Sequence, residues 1–187
     1  DTNKIIPKTG LLLPEDRMFK CFSDYIKSLK VDFPPALELS NNARQCFNSA
    51  YDITQTDILN NPDKNLLSWL NAEFQLFKVI ETDRYSARIR TPFLSVGELV
   101  EIANKVLNRR KSRAGKSLEN HLAEIFHQFN LSFETQVVTE GNKKPDFIFP
   151  SQEAYLNPEF DSDKLKVLAS KTTCKDRWRQ VLNEADR

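Results

Sequence analysis

Hydrophobic residues recur at helical spacing along the first two thirds of the chain, and their period changes after about residue 130. Met18, Phe19, Phe22, Tyr25, Ile26 and Leu29 repeat every three or four positions, behind Pro14 with Glu15 and Asp16 in the first turn. They predict a helix through Lys30, closed by Pro34 and Pro35. Ser40 is placed to cap a second helix carrying Ala43, Phe47 and Ala50. After a turn at 60–62, Asp63 is placed to cap a third helix to about Ile80. Thr91 and Pro92 mark another break. Ser95 then caps a helix with Leu99, Ile102, Ala103, Val106 and Leu107, and a basic stretch separates it from a helix with Leu118, Leu122, Ile125, Phe126 and Phe129. Beyond that the period falls to about two, predicting strands at 133–138, 146–149 and 165–170. From Lys175 a helical face returns with Trp178, Val181, Leu182 and Ala185. A helical N-terminal layer followed by helix, three strands and helix predicts a mixed α/β fold.

Composition fits one domain, or one domain with a smaller helical subdomain: 187 residues, 40% hydrophobic and 28% charged. Gly is scarce at 4 and Phe abundant at 13, which favours long helices and an aromatic core. Net charge is only +1, so bulk basicity does not announce a polyanionic partner. The charge is clustered instead. Lys105, Arg109, Arg110, Lys111, Arg113 and Lys116 follow one another with no acidic residue between, a pattern that fits either a solvated face or a row of phosphate contacts. Three cysteines without CxxC spacing argue against zinc and for a reducing compartment. No apolar run approaches the ~20 residues of a membrane span. The chain starts at Asp1 and stops at Arg187 within a helical pattern, so we expect it to be cut from a longer polypeptide.

The chemistry concentrates in the last third. Asp146 opens a strand after Pro145, where a carboxylate can point into a cleft at the sheet end. Alternation puts Lys171 on the face of Val167 and Ala169, at the edge of an apolar surface. Glu184 follows thirteen positions later on the next helix, and Glu119 lies beside the core positions Leu118 and Leu122, free to face the same site or solvent. Carboxylates hold a divalent metal and a nearby lysine steadies or deprotonates water, the combination that phosphodiester hydrolysis needs. In TTCKDRWRQ, Thr173 and Asp176 fit a capping box. Lys175, Asp176 and Arg177 also suit G·C base edges if that helix enters a major groove end-on. His121 and His127, six apart, do not fit helical metal ligation and read as surface or satisfied core residues. No P-loop, GxGxxG, GxSxG or HExxH pattern occurs.

PDFIF, VLASK and a glutamate thirteen residues beyond the lysine resemble the PD-(D/E)XK nuclease superfamily. The acidic residue usual two positions before the lysine is replaced by Ala169. This departure resembles the clade of restriction endonucleases in which the acid comes from the following helix, and SKTTCKDRWRQV resembles the branch that recognises CC-W-GG and related sites. The resemblance implies an α/β, restriction-endonuclease-like mixed sheet flanked by helices. Residues 1–92 would form the helical N-terminal part of the catalytic domain. Residues 93–187 would form the nuclease core, cut short at its C-terminal end.

It further implies a type II, Mg²⁺-dependent site-specific deoxyribonuclease of the bacterial cytoplasm, acting on double-stranded DNA as a homodimer and joined to a separate N-terminal effector DNA-binding domain. Asp146 and Glu184 would bind Mg²⁺, Lys171 would orient the attacking water, and Glu119 would support the metal or its waters. Lys175, Asp176 and Arg177 would read bases. Arg109, Arg110, Lys111, Arg113 and Lys116 would contact phosphates, with Arg84, Arg88 and Arg90 as a second candidate group. The central base pair would be flipped and Trp69 would stack on a flipped base, although Leu66, Leu70 and Phe74 equally suit Trp69 to a core. The alternative reading is a nuclease-like fold kept only for DNA binding or assembly.

Overall fold

The computed structural model describes residues 12–139 and 143–171. Glu184, Lys175, Asp176 and Arg177, and the helix expected from Lys175, lie outside the described residues. Helices α1 (Pro14–Ser28), α2 (Ala36–Tyr51), α3 (Gln55–Asn60), α4 (Pro62–Ile89) and α5 (Val96–Gln128) precede the strands β1 (Glu134–Thr135) and β2 (Phe147–Phe149), the short helix α6 (Gln152–Leu156) and strand β3 (Lys166–Leu168). The mixed α/β architecture expected from the sequence is present. The described strands run in the order β1-β2-β3 with antiparallel neighbours, Glu134 opposite Ile148 and Ile148 opposite Val167. None of the described helices is long and apolar enough to cross a membrane.

Several local expectations are corrected by packing. Helix α2 starts four residues before Ser40, behind Pro35, so Ser40 caps nothing; it is buried inside the helix, where its one hydroxyl proton faces a carboxylate at 2.6 Å and Ala36 O lies 2.9 Å away. Asp63 follows Pro62 in the first turn of α4, where it faces the positive end of the helix dipole without capping it. The short helix α3 was legible in hindsight, because Thr54 and Asp57 form a full capping box. Ser95 does cap as expected, its Oγ accepting from Glu98 N at 3.1 Å.

The largest difference is α5, a single helix where two were expected. The basic stretch that seemed to separate them consists mostly of good helix formers, and Gly115 has open space where a Cβ would stand. Its charges are matched along α4. Arg110 forms a forked pair with Glu81 at 2.9 and 2.6 Å, and Arg109 donates to Tyr85 Oη while lying 3.8 Å above the Phe33 ring. α4 likewise runs on to Ile89, nine residues beyond Ile80.

The helices share a core of Met18, Phe22, Leu39, Ala43, Leu76, Phe77 and Ile80. Full burial of each large side chain contributes about 1.5–3 kcal/mol. Cys21 and Cys46 join α1 to α2 in a disulfide with Cα atoms 5.7 Å apart, which runs against the reducing compartment expected from the cysteine pattern. The sheet has its own core beneath β2, made by Ile148, Ala154, Tyr155 and Leu165. The two parts meet through phenylalanines. Phe126 of α5 sits edge-on to Phe133, Phe147 and Phe149, with centroids 5.1–5.6 Å apart.

A buried polar cluster ties α2, α4 and α5 together. Glu73 of α4 is almost fully enclosed. Its Oε2 accepts from Ser40 Oγ at 2.6 Å and its Oε1 accepts from Arg113 Nη1 at 3.1 Å. His121 Nε2 stands 3.1 Å from Glu73 Oε2, short but poorly aligned for a hydrogen bond. On the other side of the ring, Arg44 Nη1 approaches Nδ1 at 3.2 Å. Arginine offers only donors, so Nδ1 must accept and the proton belongs on Nε2, facing Glu73. Arg44 in turn donates to Glu124 at 3.0 Å.

Burial holds the His121 pKa below its ordinary value, against the opposing pull of Glu73. For Glu73 burial acts upward, but the close approach of His121 Nε2 and the hydrogen bond from Ser40 outweigh it and hold the carboxyl below its ordinary range. Both shifts have the same consequence for stability. The unfolded chain binds protons that the folded chain refuses, so stability is present above the ordinary histidine value of 6.5 and is lost as pH falls below it. Glu73 extends the loss to still lower pH. Urea unfolding between pH 8 and pH 5 is expected to show a falling midpoint, and His121→Gln is expected to flatten the slope near pH 6. A midpoint that rises on acidification would contradict this account.

Candidate active site

Pro145 and Asp146 lead directly into β2, whose Phe147 and Ile148 are fully buried. The strand is therefore held on both faces, and Asp146 at its head is fixed at the sheet end with only 8% of its surface exposed. β3 pairs with β2 and delivers the next residues of its own chain to the same end. Ser170 N donates to Asp146 Oδ2 at 2.7 Å, and Ser170 Oγ lies 3.2 Å from the same oxygen. Lys171 Nζ approaches it at 3.4 Å. One carboxylate oxygen thus collects a backbone donor, a hydroxyl and an ammonium from the β3 end.

The other oxygen faces α5. Gln136, just after β1, places its Nε2 3.4 Å from Asp146 Oδ1 and 3.4 Å from Glu119 Oε2. Glu119 also accepts from Lys116 Nζ at 2.7 Å, one helical turn away. Three of the expected catalytic residues, Glu119, Asp146 and Lys171, therefore converge from α5, β2 and the segment after β3. Gln136 and Ser170 were missed. Gln136 belongs to no motif, and Ser170, although it stands within VLASK, had no role assigned there; only the fold brings them to Asp146.

The donor chemistry suits a hard divalent cation: carboxylate oxygens, with an amide and an ammonium alongside. Among the described residues no three His, Cys, Asp or Glu side chains gather closely enough to hold a metal ion by themselves. Glu184, the remaining carboxylate expected here, lies outside the described residues.

Residues 77–187 match the protein family described as EcoRII C terminal. The chain belongs to the EcoRII C-terminal family. It is 54% identical over 127 residues to the type II restriction enzyme EcoRII of Escherichia coli, covering 67% of this chain and 31% of that enzyme. The chain thus spans about a third of the length of that relative. Two solved structures share its fold. One is the restriction endonuclease PspGI in complex with substrate DNA, with TM-score 0.66 and 21% identity over 82% of this chain and 61% of the other. The second is metal-depleted Ecl18kI in complex with uncleaved, modified DNA, with TM-score 0.63 and 19% identity over 93% and 64% of the two chains. The restriction-endonuclease-like architecture anticipated for the family is therefore the one this chain adopts.

One expectation drawn from the family resemblance needs correction on geometry. Trp69 is fully buried in a core with Ile58 and Ile125, and its Nε1 donates to Asn48 Oδ1 at 2.7 Å. The helical face of α4 that carries Ala72, Leu76 and Ile80 also carries Trp69, so the indole packs inward and has no free ring face for a base. Most of the basic run has partners within the fold. Arg109, Arg110, Arg113 and Lys116 are engaged with Tyr85, Glu81, Glu73 and Glu119, while Lys111 is exposed. In the second basic group, Arg84 pairs with Asp83 and Arg88 with Glu98 at 2.6 Å each.

Replacing Trp69 by alanine should lower the unfolding free energy by about 3–5 kcal/mol, the range for an emptied aromatic core position. Urea titration monitored by circular dichroism measures this. A loss below about 1 kcal/mol would show that the indole does not fill the core between α3, α4 and α5.

Proposed function

We propose that this chain is the catalytic part of a type II restriction endonuclease that hydrolyses phosphodiesters of double-stranded DNA with Mg²⁺. The observation that carries the reading is the meeting of Glu119, Asp146 and Lys171 at one sheet end. These residues come from three separate elements far apart in the chain. Membership of the EcoRII C-terminal family supports it, as does a fold shared with proteins solved on DNA. The division into a helical part, 1–92, and a nuclease core, 93–187, belongs to the same proposal. So do the homodimer, the bacterial cytoplasm and the separate N-terminal effector domain of the full protein.

In this reading Asp146 and Glu184 hold the ion, and Glu119 supports it or its waters. When bound, Mg²⁺ supplies Lewis acidity toward the scissile phosphate and lowers the pKa of water in its shell. Lys171 orients the attacking water and keeps its ammonium beside the developing negative charge. Ser170 keeps Asp146 aimed by donating to the oxygen that Lys171 also faces. Lys175, Asp176 and Arg177 read G·C pairs of a CCWGG-like site, lysine and arginine on guanine and aspartate on the cytosine amino group. Lys111 and Arg110 are exposed on α5 and reach phosphates, which position the duplex without conveying sequence. Flipping of the central pair costs a few kcal/mol that stacking must return. With Trp69 in the core, that stacking falls to another side chain.

Cleavage of plasmid DNA containing CCWGG sites tests the reading on the full protein. With Mg²⁺, discrete fragments are expected, and Asp146→Ala and Lys171→Ala are each expected to reduce the rate by at least about 100-fold. Fragments that persist in both variants would overturn the assignment. Binding to the same DNA without cleavage by the unmodified protein would instead favour a fold retained for DNA binding alone.

A further inference from the structure

Gln136 touches both carboxylates of the candidate site, although nothing in its local sequence marks it. Its Nε2 lies 3.4 Å from Glu119 Oε2 and 3.4 Å from Asp146 Oδ1. These are long contacts for an N–H donor, so the amide sits between two acceptors without being locked to either. Its backbone is left-handed, with φ of 55°, a conformation that a residue of this type seldom adopts. The turn occurs directly after β1, and it is this turn that brings the side chain back over the sheet end. Gln136 is also exposed, so no packing opposes rotation of its terminal amide.

A carboxamide has two ends of opposite character. The nitrogen donates hydrogen bonds, and the oxygen is a hard neutral ligand of the kind that divalent cations accept beside carboxylates. Two carboxylates facing each other without a cation call for a donor between them. With a cation between them, a donor there is repelled and an oxygen is attracted. Half a turn of the amide exchanges one for the other with no movement of the backbone.

We infer that Gln136 is a ligand of the cation that Asp146 binds, on the side facing Glu119. Its nitrogen bridges the two carboxylates when the ion is absent, and its oxygen turns to the ion when it is present. The inference rests on the metal-site reading of Asp146 made above. It adds a neutral ligand from a third element, the β1 end, to a site otherwise built from acids.

Calorimetric titration of Mg²⁺ into the full chain without DNA tests it, using the unmodified protein, Asp146→Asn, Gln136→Met and Gln136→Glu. Methionine keeps the length and neutrality of the side chain but offers no hard oxygen, and its affinity for Mg²⁺ should fall about tenfold. Glutamate supplies a charged oxygen at the same place, so it should bind Mg²⁺ more tightly. In EDTA the glutamate variant should melt below the unmodified protein, because three carboxylates then crowd one another, and Mg²⁺ should restore its melting temperature. A purely structural role for Gln136 would not make the two variants move in opposite directions. If Asp146→Asn abolishes binding while both Gln136 variants bind as the unmodified protein does, the ligand role of Gln136 is refuted and the site stands. If the unmodified protein binds no Mg²⁺, or Asp146→Asn binds equally well, the site reading fails and takes this inference with it.

Discussion

The carboxylate of Glu73, enclosed among three helices, is the constraint to which the rest of the helical layer answers. A charge in that position costs several kcal/mol unless it is met by donors, and removing one partner of such a buried pair typically costs 3–5 kcal/mol. Here the partners come from every neighbouring element: Ser40 from α2, and Arg113 and His121 from α5. Arg44 and Glu124 extend the cluster outward, so that two acids and two guanidinium groups balance around a neutral imidazole. Satisfying Glu73 therefore fixes both the rotation and the axial position of α5 against α2 and α4. Apolar contacts alone tolerate sliding far better than a carboxylate that must meet its donors at hydrogen-bond length.

That placement reaches the candidate site by a short path. Glu119 lies on α5 between Arg113 and His121, and Phe126 follows two helical turns further on. The polar cluster anchors the helix to its neighbours, and the phenylalanine cluster anchors the sheet to the helix. Phe126 meets Phe147 edge-on, and Phe147 is the residue immediately after Asp146. The separation between Glu119 and Asp146 is thus set through two rigid contacts, one electrostatic and one aromatic. Gln136 then bridges the remaining gap with a flexible amide, the adjustable part of an otherwise fixed arrangement. This division suits the site proposed above, whose carboxylates would have to admit an ion between them.

The same geometry decides between the two roles open to Trp69 and places it in the core. Trp69 follows helical spacing with Leu66, Leu70 and Phe74, yet the buried face of α4 is the one shared by Asn65, Ala72, Leu76 and Ile80. Leu66 is only half-buried and Phe74 is exposed, so the stripe that seemed apolar in one dimension is not the stripe that packs. The hydrogen bond to Asn48 completes the burial of the indole, a partner twenty-one residues away that no local pattern identifies.

Much was nonetheless legible in the amino-acid order. Periodicity alone marked the change from helix to strand, the Ser95 cap and the strand pair around Asp146 and Lys171, because those features depend on neighbours within a few residues. The family resemblance rested on Asp146, Lys171 and the displaced acid, whose types and spacing are written in the chain. Tertiary structure decided what depends on distant partners. It merged the two expected helices into α5 by pairing its basic residues with α4, turned Ser40 from a cap into a buried donor, and drew Gln136 and Ser170 to Asp146. The physical reason is one of range. A cap or an alternation is settled by the chain's own geometry, whereas a buried charge or a bridging amide takes its role only from groups that folding brings beside it.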